Sequence, residues 1–211
     1  MWKNLLKIAL DILASAGITY DKWAMGEGTA LAYYFDHRES KDIDIFLNDA
    51  QYIPLLSPRL NRTVLSADYV EASNYVKMKY QEGEIDFIIA PHLTGEPYST
   101  VELLNRNINL ETPVEIVVKK LFYRAETLKT RDVIDAAVVY AHNPEQLLAQ
   151  APLLKNRMNA LANRWEKIKV IFSLEANQLS IYDTSIIDTS PVIFENLMAA
   201  IEKNVRRKPC Q

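Results

Sequence analysis

Apolar and polar positions in this chain follow two periods, and the change from one to the other divides it. At the start Leu5, Ile8, Ile12 and Leu13 recur at helical spacing and Gly17 stops the run, which predicts an amphipathic first helix. Tyr20 to Met25 reads as a short strand, Gly26 to Gly28 as a turn, and Thr29 to Phe35 as a helix. Asp42 to Leu47 is predicted as the next strand, and Asp49 to Leu60 as a helix limited by Pro54 and Pro58. From Asn74 to Tyr80 the pattern alternates: Val76, Met78 and Tyr80 fall on one face, Lys77 and Lys79 on the other. Gln81-Glu82-Gly83 turns the chain into a hairpin partner, Glu84 to Ala90. There Ile85, Phe87 and Ile89 share a face, Asp86 lies opposite with Ile88, and Pro91 ends the strand.

Beyond about residue 111 strand signals become sparse. Thr112-Pro113-Val114-Glu115 has the form of a capping box with proline at the first helical position. Helices are predicted from Pro113 to about Leu128, from Arg131 to about His142, and from Pro144, with a long mixed segment from Leu153 to Leu174. Ser173 to Ser190 reads as a loop with one turn, and Pro191 to Asn204 as a final helix before the basic Arg206-Arg207-Lys208. The expected fold class is α+β: a small mixed β-sheet core with flanking helices over residues 1–111, then a C-terminal helical bundle over 112–211.

Composition narrows this picture. A chain of 211 residues, 49% of them hydrophobic, has room for one large domain or two small ones, each with a real core. Its net charge of −3 excludes bulk electrostatic binding to nucleic acid and leaves room for a local basic patch. Lys155, Arg157, Arg164, Lys167 and Lys169 are candidates for such a patch, or form an ordinary solvated helix face. Lys7 and Asp11 interrupt the first apolar run, which favours a helix over a signal peptide. No segment reaches the roughly 18 apolar residues that a membrane span needs. One cysteine, Cys210, allows no intramolecular disulfide and fits a cytoplasmic protein. The three histidines are scattered and suggest no zinc cluster.

The chemistry concentrates in Met25 to Phe46. Asp42 and Asp44 alternate with Ile43 and Ile45, so the isoleucines can enter a core while both carboxylates face a cleft. Paired carboxylates repel unless a cation lies between them, and a hard cation such as Mg²⁺ or Mn²⁺ takes oxygen ligands and phosphates. Gly26 and Gly28 permit close approach of phosphate to backbone N–H groups. Asp86, in mid-strand, is a third carboxylate that either ligates a metal or takes a proton from a hydroxyl. Lys120 and Arg124, four apart, share a helix face that suits phosphate. Arg38, before Ser40, either pairs with a strand aspartate or reaches phosphate, and His37 beside it is more often neither ligand nor base. Asp132 and Asp135 lie on nearly one face of the following helix. A phosphate cradle beside paired carboxylates suggests metal-dependent phosphoryl or nucleotidyl transfer.

In sequence order, GEGTALAYYFDHRESKDIDIF, EIDFI, KLFYR and RDVID together resemble the AbiEii/MenT toxin family of the DNA polymerase β-like nucleotidyltransferase superfamily. The resemblance spans roughly residues 22 to 140. It implies a nucleotidyltransferase, the toxin of a type IV-like toxin–antitoxin, phage-defence system, with a neighbouring antitoxin as partner. It implies an NTP as substrate, a divalent metal, and a tRNA 3′ end or a protein hydroxyl as acceptor of the NMP. By this resemblance Gly28 and Thr29 match the phosphate-binding turn, Asp42 and Asp44 the metal pair, and Asp86 the third carboxylate. Lys120 matches a phosphate-contacting lysine, and Asp132 or Asp135 a further acidic group. The helical half is then expected to complete the active-site cleft. Glu27 stands where the family pattern has glycine, which opens a second reading: a catalytically weakened nucleotide-binding or protein-interaction module. Nucleotidylation of a small molecule, such as an antibiotic, would use the same site.

Overall fold

The computed structural model of the protein describes residues 2–62, 64 and 68–207. Lys208 of the predicted basic tail and Cys210 lie outside the described residues. The chain falls into two compact units. The first comprises Met1–Tyr33, Ser40–His92 and Glu96–Thr112; the second comprises Tyr34–Glu39, Leu93–Gly95 and Pro113–Gln211.

Among the described residues of the first unit, seven strands form one mixed sheet: β1 (Trp23–Gly26), β2 (Ile43–Leu47), β3 (Tyr69–Ala72), β4 (Tyr75–Tyr80), β5 (Gly83–Ile89), β6 (Tyr98–Leu103) and β7 (Arg106–Glu111). Their order is β3-β4-β5-β2-β1-β7-β6. β2 runs parallel to β5 and β1 parallel to β7, while the remaining neighbours are antiparallel. One face is apolar: Met25, Ile43, Ile45, Leu47, Val76, Met78, Ile85 and Phe87 are fully buried. Helix α1 (Trp2–Ser15) packs on β2 and β5. Each such aliphatic side chain, fully buried, contributes about 1.5–3 kcal/mol.

The helix ends as its glycine requires. Gly17, with φ +69°, donates to Ala14, and Ile18 donates to Leu13, a pair of bonds that satisfies the last carbonyls and needs a left-handed residue between. The buried stripe of α1 is Leu5, Leu6, Ala9, Leu10, Ile12 and Leu13, and Ile8 of the predicted stripe sits at its margin, half-buried.

Several predicted elements change in extent. Tyr20–Lys22 is a 3-10 turn, so the first strand is shorter than Tyr20 to Met25. Helix α2 (Glu27–Phe35) starts directly after β1, which leaves no separate glycine turn. The predicted helix from Asp49 to Leu60 is reduced to a 3-10 turn, Ala50–Tyr52, and the short α3 (Ile53–Leu56). Strands β3, β6 and β7 were not foreseen by the alternation. The β6–β7 hairpin turns through Leu104 (φ +53°) and Asn105 (φ +58°).

The second unit is helical: α4 (Pro113–Tyr123), α5 (Thr130–His142), α6 (Pro144–Ala149), α7 (Ala151–Leu154), α8 (Met158–Ala176) and α9 (Ser185–Arg207). Helix α5 packs against α4, α6, α8 and α9. Val117, Leu121, Val133, Ile134, Val139, Leu161 and Phe194 lie fully buried among them. Trp165 meets Phe194 edge to face at 5.2 Å and donates its indole N–H to Glu195 at 3.1 Å. The final helix begins earlier than Pro191, which lies inside it. The segment between α8 and α9 is correspondingly shorter than Ser173 to Ser190, and Glu39 and Tyr182 donate across to the Ser180 and His37 carbonyls. Among the described residues no helix is long and apolar enough to cross a membrane.

Candidate active site

In the first unit the strand register lines up the chemistry. Asp44 on β2 lies opposite Asp86 on β5; Gly26 on β1 lies opposite Asp44, and Lys77 on β4 opposite Asp86. Opposed residues share a face, so Gly26, Asp44, Asp86 and Lys77 form a row across four strands, on the side away from the α1-covered core. Asp42, two residues before Asp44, belongs to the same face. The alternation that buries Ile43, Ile45, Ile85 and Phe87 is thus what turns three carboxylates outward together.

Each carboxylate has its own environment. Asp42 Oδ1 accepts the Glu84 N–H at 3.0 Å, which ties the start of β5 to the residue preceding β2. Asp86 Oδ2 is 3.1 Å from Lys77 Nζ, and the same ammonium donates to the Glu84 carboxylate. Asp86 Oδ1 is buried and accepts no hydrogen bond among the described residues. Burial raises the pKa of Asp86; Lys77 opposes this, Glu84 and Asp42 add to it, and the result stays above the usual aspartate value. Burial opposes the charge of Lys77, but Glu84 and Asp86 outweigh it and hold its pKa above that of an ordinary lysine. An unused buried oxygen in a row of mutually repelling carboxylates is what a hard divalent cation relieves. Asp42, Asp44 and Asp86 therefore fit such an ion.

The passage from β1 to α2 is made at one residue. Glu27 has φ +58° and is buried, so the left-handed position belongs to a glutamate and not to either flanking glycine. Gly26 is required for closeness: a Cβ there would lie 2.2 Å from Glu111 Oε2 and 2.7 Å from the Phe46 ring. Thr29 Oγ1 donates to the Asp42 carbonyl at 2.5 Å and lies 3.0 Å from Ser40 Oγ. With its single hydrogen spent, it accepts from Ser40. Thr29 and Ser40 thus anchor the first turn of α2 to the residue that opens the carboxylate strand, while Gly28 is buried in that turn.

In the second unit the other predicted residues form a buried ionic network. Arg38 donates through Nε and Nη2 to both oxygens of Asp135, each at 2.8 Å, and His37 Nε2 lies 2.8 Å from Asp135 Oδ1. Lys120 Nζ is 2.9 Å from Asp132 Oδ1 and 3.1 Å from Asp135 Oδ2, with 2% of its side chain exposed. Arg124 Nη1 approaches Asp132 Oδ1 at 3.4 Å and is the partly exposed member. Asp132 Oδ2 accepts the Lys129 N–H at 3.1 Å, capping α5. Burial alone would raise the pKa of Asp135, but Arg38 and Lys120 hold it well below 3.8. Burial likewise acts upward on Asp132, and Lys120 with Arg124 brings it below 3.8. The stability these two carboxylates confer is present above that value and is lost as pH falls through their lower native pKa values. Arg38 thus pairs with Asp135, a helix aspartate, and His37 shares that partner. Glu115 of the predicted capping box is buried, and its carboxylate accepts the Leu93 and Thr94 N–H groups.

The candidate RNA-facing cations are largely committed elsewhere. Arg157 stacks on Phe122 at 4.5 Å, Arg164 donates to the Leu128 carbonyl at 2.7 Å, and Lys169 pairs with Glu195 at 2.6 Å. Lys155 and Lys167 are exposed. Sequence reasoning left Lys77 and Glu84 without a role. The two-residue turn at Gln81-Glu82 was the signal, since it sets Lys77 opposite Asp86.

Solved structures share the fold. A protein of H. pylori described as a nucleotidyltransferase matches with a TM-score of 0.53 at 18% identity, over 99% of this chain and 97% of its own. An antigenic nucleotidyltransferase-like protein from Paracoccidioides brasiliensis gives 0.43 at 15% identity, over 88% of this chain and 95% of its own. The antibiotic-resistance factor ANT(2'')-Ia gives 0.39 at 12% identity, over 99% of this chain and 100% of its own. No curated protein sequence matches the chain. Residues 9–188 match the profile of the family described as nucleotidyl transferase AbiEii toxin, type IV TA system, a span that takes in both the carboxylate strands and the buried network. The chain is therefore a nucleotidyltransferase and belongs to the AbiEii toxin family.

Proposed function

We propose that this protein transfers an NMP group from an NTP to an acceptor hydroxyl in an Mg²⁺- or Mn²⁺-dependent reaction, and that it acts as the toxin of a toxin–antitoxin pair. The observation that carries this reading is the register of Asp44 with Asp86, with Asp42 on the same face and one Asp86 oxygen unused. Asp42 and Asp44 would hold the ion, with Asp86 as the third carboxylate. When bound, the ion would polarise the α-phosphate and neutralise charge on the leaving pyrophosphate. The first N–H groups of α2, at Glu27, Gly28 and Thr29, would meet phosphate oxygens, with Gly26 allowing close approach. Ser40 and Thr29 would keep that turn in place. The helical unit is assigned the role of completing the cleft. Within it Lys120 and Arg38 order Asp132 and Asp135, and Arg124, partly exposed, is the cation placed to meet the triphosphate. The acceptor is a tRNA 3′ end or a protein hydroxyl, and an antitoxin is the expected protein partner.

The test is incubation with each labelled NTP, Mg²⁺ and total tRNA, or a cell extract as protein acceptor, alongside growth on expression. Label should enter one acceptor, and Asp44→Ala should abolish transfer while Asp49→Ala, at a turn away from the carboxylates, should keep it. Absence of transfer with all four nucleotides, together with unimpaired growth, would sink the toxin reading. The second reading, a weakened nucleotide-binding module, is favoured by one observation: Glu27 places a buried carboxyl side chain at the first residue of α2. It predicts nucleotide binding without transfer.

A further inference from the structure

We infer that Lys77 is a built-in counter-ion that occupies Asp86 until a divalent cation displaces it, and so sets how tightly the carboxylate face holds metal. This rests on the metal-dependent reading above. Lys77 sits in register with Asp86 on the same sheet face, between core residues Val76 and Met78 that fix its strand. Its ammonium is gripped twice, by Glu84 and by Asp86 Oδ2 at 3.1 Å. Asp86 Oδ1 meanwhile accepts nothing among the described residues. One oxygen of the third carboxylate is therefore already neutralised and the other is open. A divalent ion that uses Asp86 must either share it with a positive charge about 3 Å away or expel that charge toward Glu84. In both cases the free protein holds metal more weakly than a bare set of three carboxylates would. Glu84 supplies the alternative seat, since it already accepts a hydrogen bond from the same ammonium. Lys77 is thus a positioning residue whose charge is exchanged against the ion and does not add to it.

Mn²⁺ binding measured by loss of the free-ion EPR signal, without nucleotide, reads this directly. Lys77→Met and Lys77→Gln should each bind Mn²⁺ about tenfold more tightly than the native protein, the scale of one charge-assisted hydrogen bond. Lys77→Arg should stay near the native affinity. Adding Asp86→Ala to Lys77→Met should erase the gain, because the exchange is at Asp86. Thermal unfolding confirms that the variants are folded. Equal or weaker Mn²⁺ binding by folded Lys77→Met and Lys77→Gln overturns this inference alone. No Mn²⁺ binding by any of the proteins overturns it together with the metal-dependent reading.

Discussion

Glu27 concentrates the conflict between backbone and side chain in this protein. Its φ of +58° is a region where an L-residue with a Cβ is strained by about 1–2 kcal/mol, and glycine is not. The place where the family pattern has glycine is therefore the place where the backbone asks for one. This permits a clean comparison between Glu27→Gly and Glu27→Ala, since both remove the carboxyl group and they differ only by Cβ. In an ordinary helix alanine would be the more stable by about 1 kcal/mol. Here the order should reverse, with Glu27→Gly more stable than Glu27→Ala by about 1 kcal/mol in urea unfolding. The opposite order would show that residue 27 is not held left-handed in solution. The departure at Glu27 was legible in the sequence, but its consequence was not, because a glycine-rich string does not reveal which position takes the positive φ. Lys120 and Arg38 show a similar limit. Their residue types suggested phosphate, and only burial shows their charges spent on Asp132 and Asp135.

At the level of elements, clear periodicity was readable and irregular turn chemistry was not. The β4–β5 hairpin announces itself by strict alternation on both sides of Gln81-Glu82, and β2 by Asp-Ile-Asp-Ile. The β6–β7 hairpin hides because its two turn residues are Leu104 and Asn105, both at positive φ, where Asn-Gly is the usual signal. Its strands also place Asn107 and Asn109 where apolar residues would be expected, and Asn109 is buried by donating to the Tyr20 carbonyl at 3.0 Å. Pro191 misled in the other direction: proline commonly opens a helix, but α9 already holds several residues before it. The turn geometry yields a prediction. Asn105→Gly should stabilise the protein by about 0.5–1 kcal/mol, since both central residues need φ > 0 and only glycine adopts it without strain. Chemical denaturation measures this. A loss of stability would mean that the Asn105 side chain contributes more than its backbone strain costs.

For the whole molecule, the question is whether the carboxylate face behaves as a metal site or as ordinary acidic surface. The net charge of −3 is small, so general screening by cations should change stability little. A specific site acts by mass action. An ion at one hundred times its Kd adds about 2.7 kcal/mol to a folded state that alone binds it. For a chain of this size that corresponds to a rise in Tm of about 5–10 °C. Mn²⁺ or Mg²⁺ should therefore raise the unfolding temperature with a saturating concentration dependence, while NaCl at matched ionic strength should not. Asp44→Ala should lose the shift, because it removes the member of the row directly opposite Asp86. Lys77→Met should reach the same maximal shift at a lower concentration, since the ion no longer competes with an ammonium. A rise equal in Asp44→Ala and the native chain would place the ion's effect elsewhere and separate the fold's evident ancestry in nucleotidyl transfer from any working metal centre on this sheet.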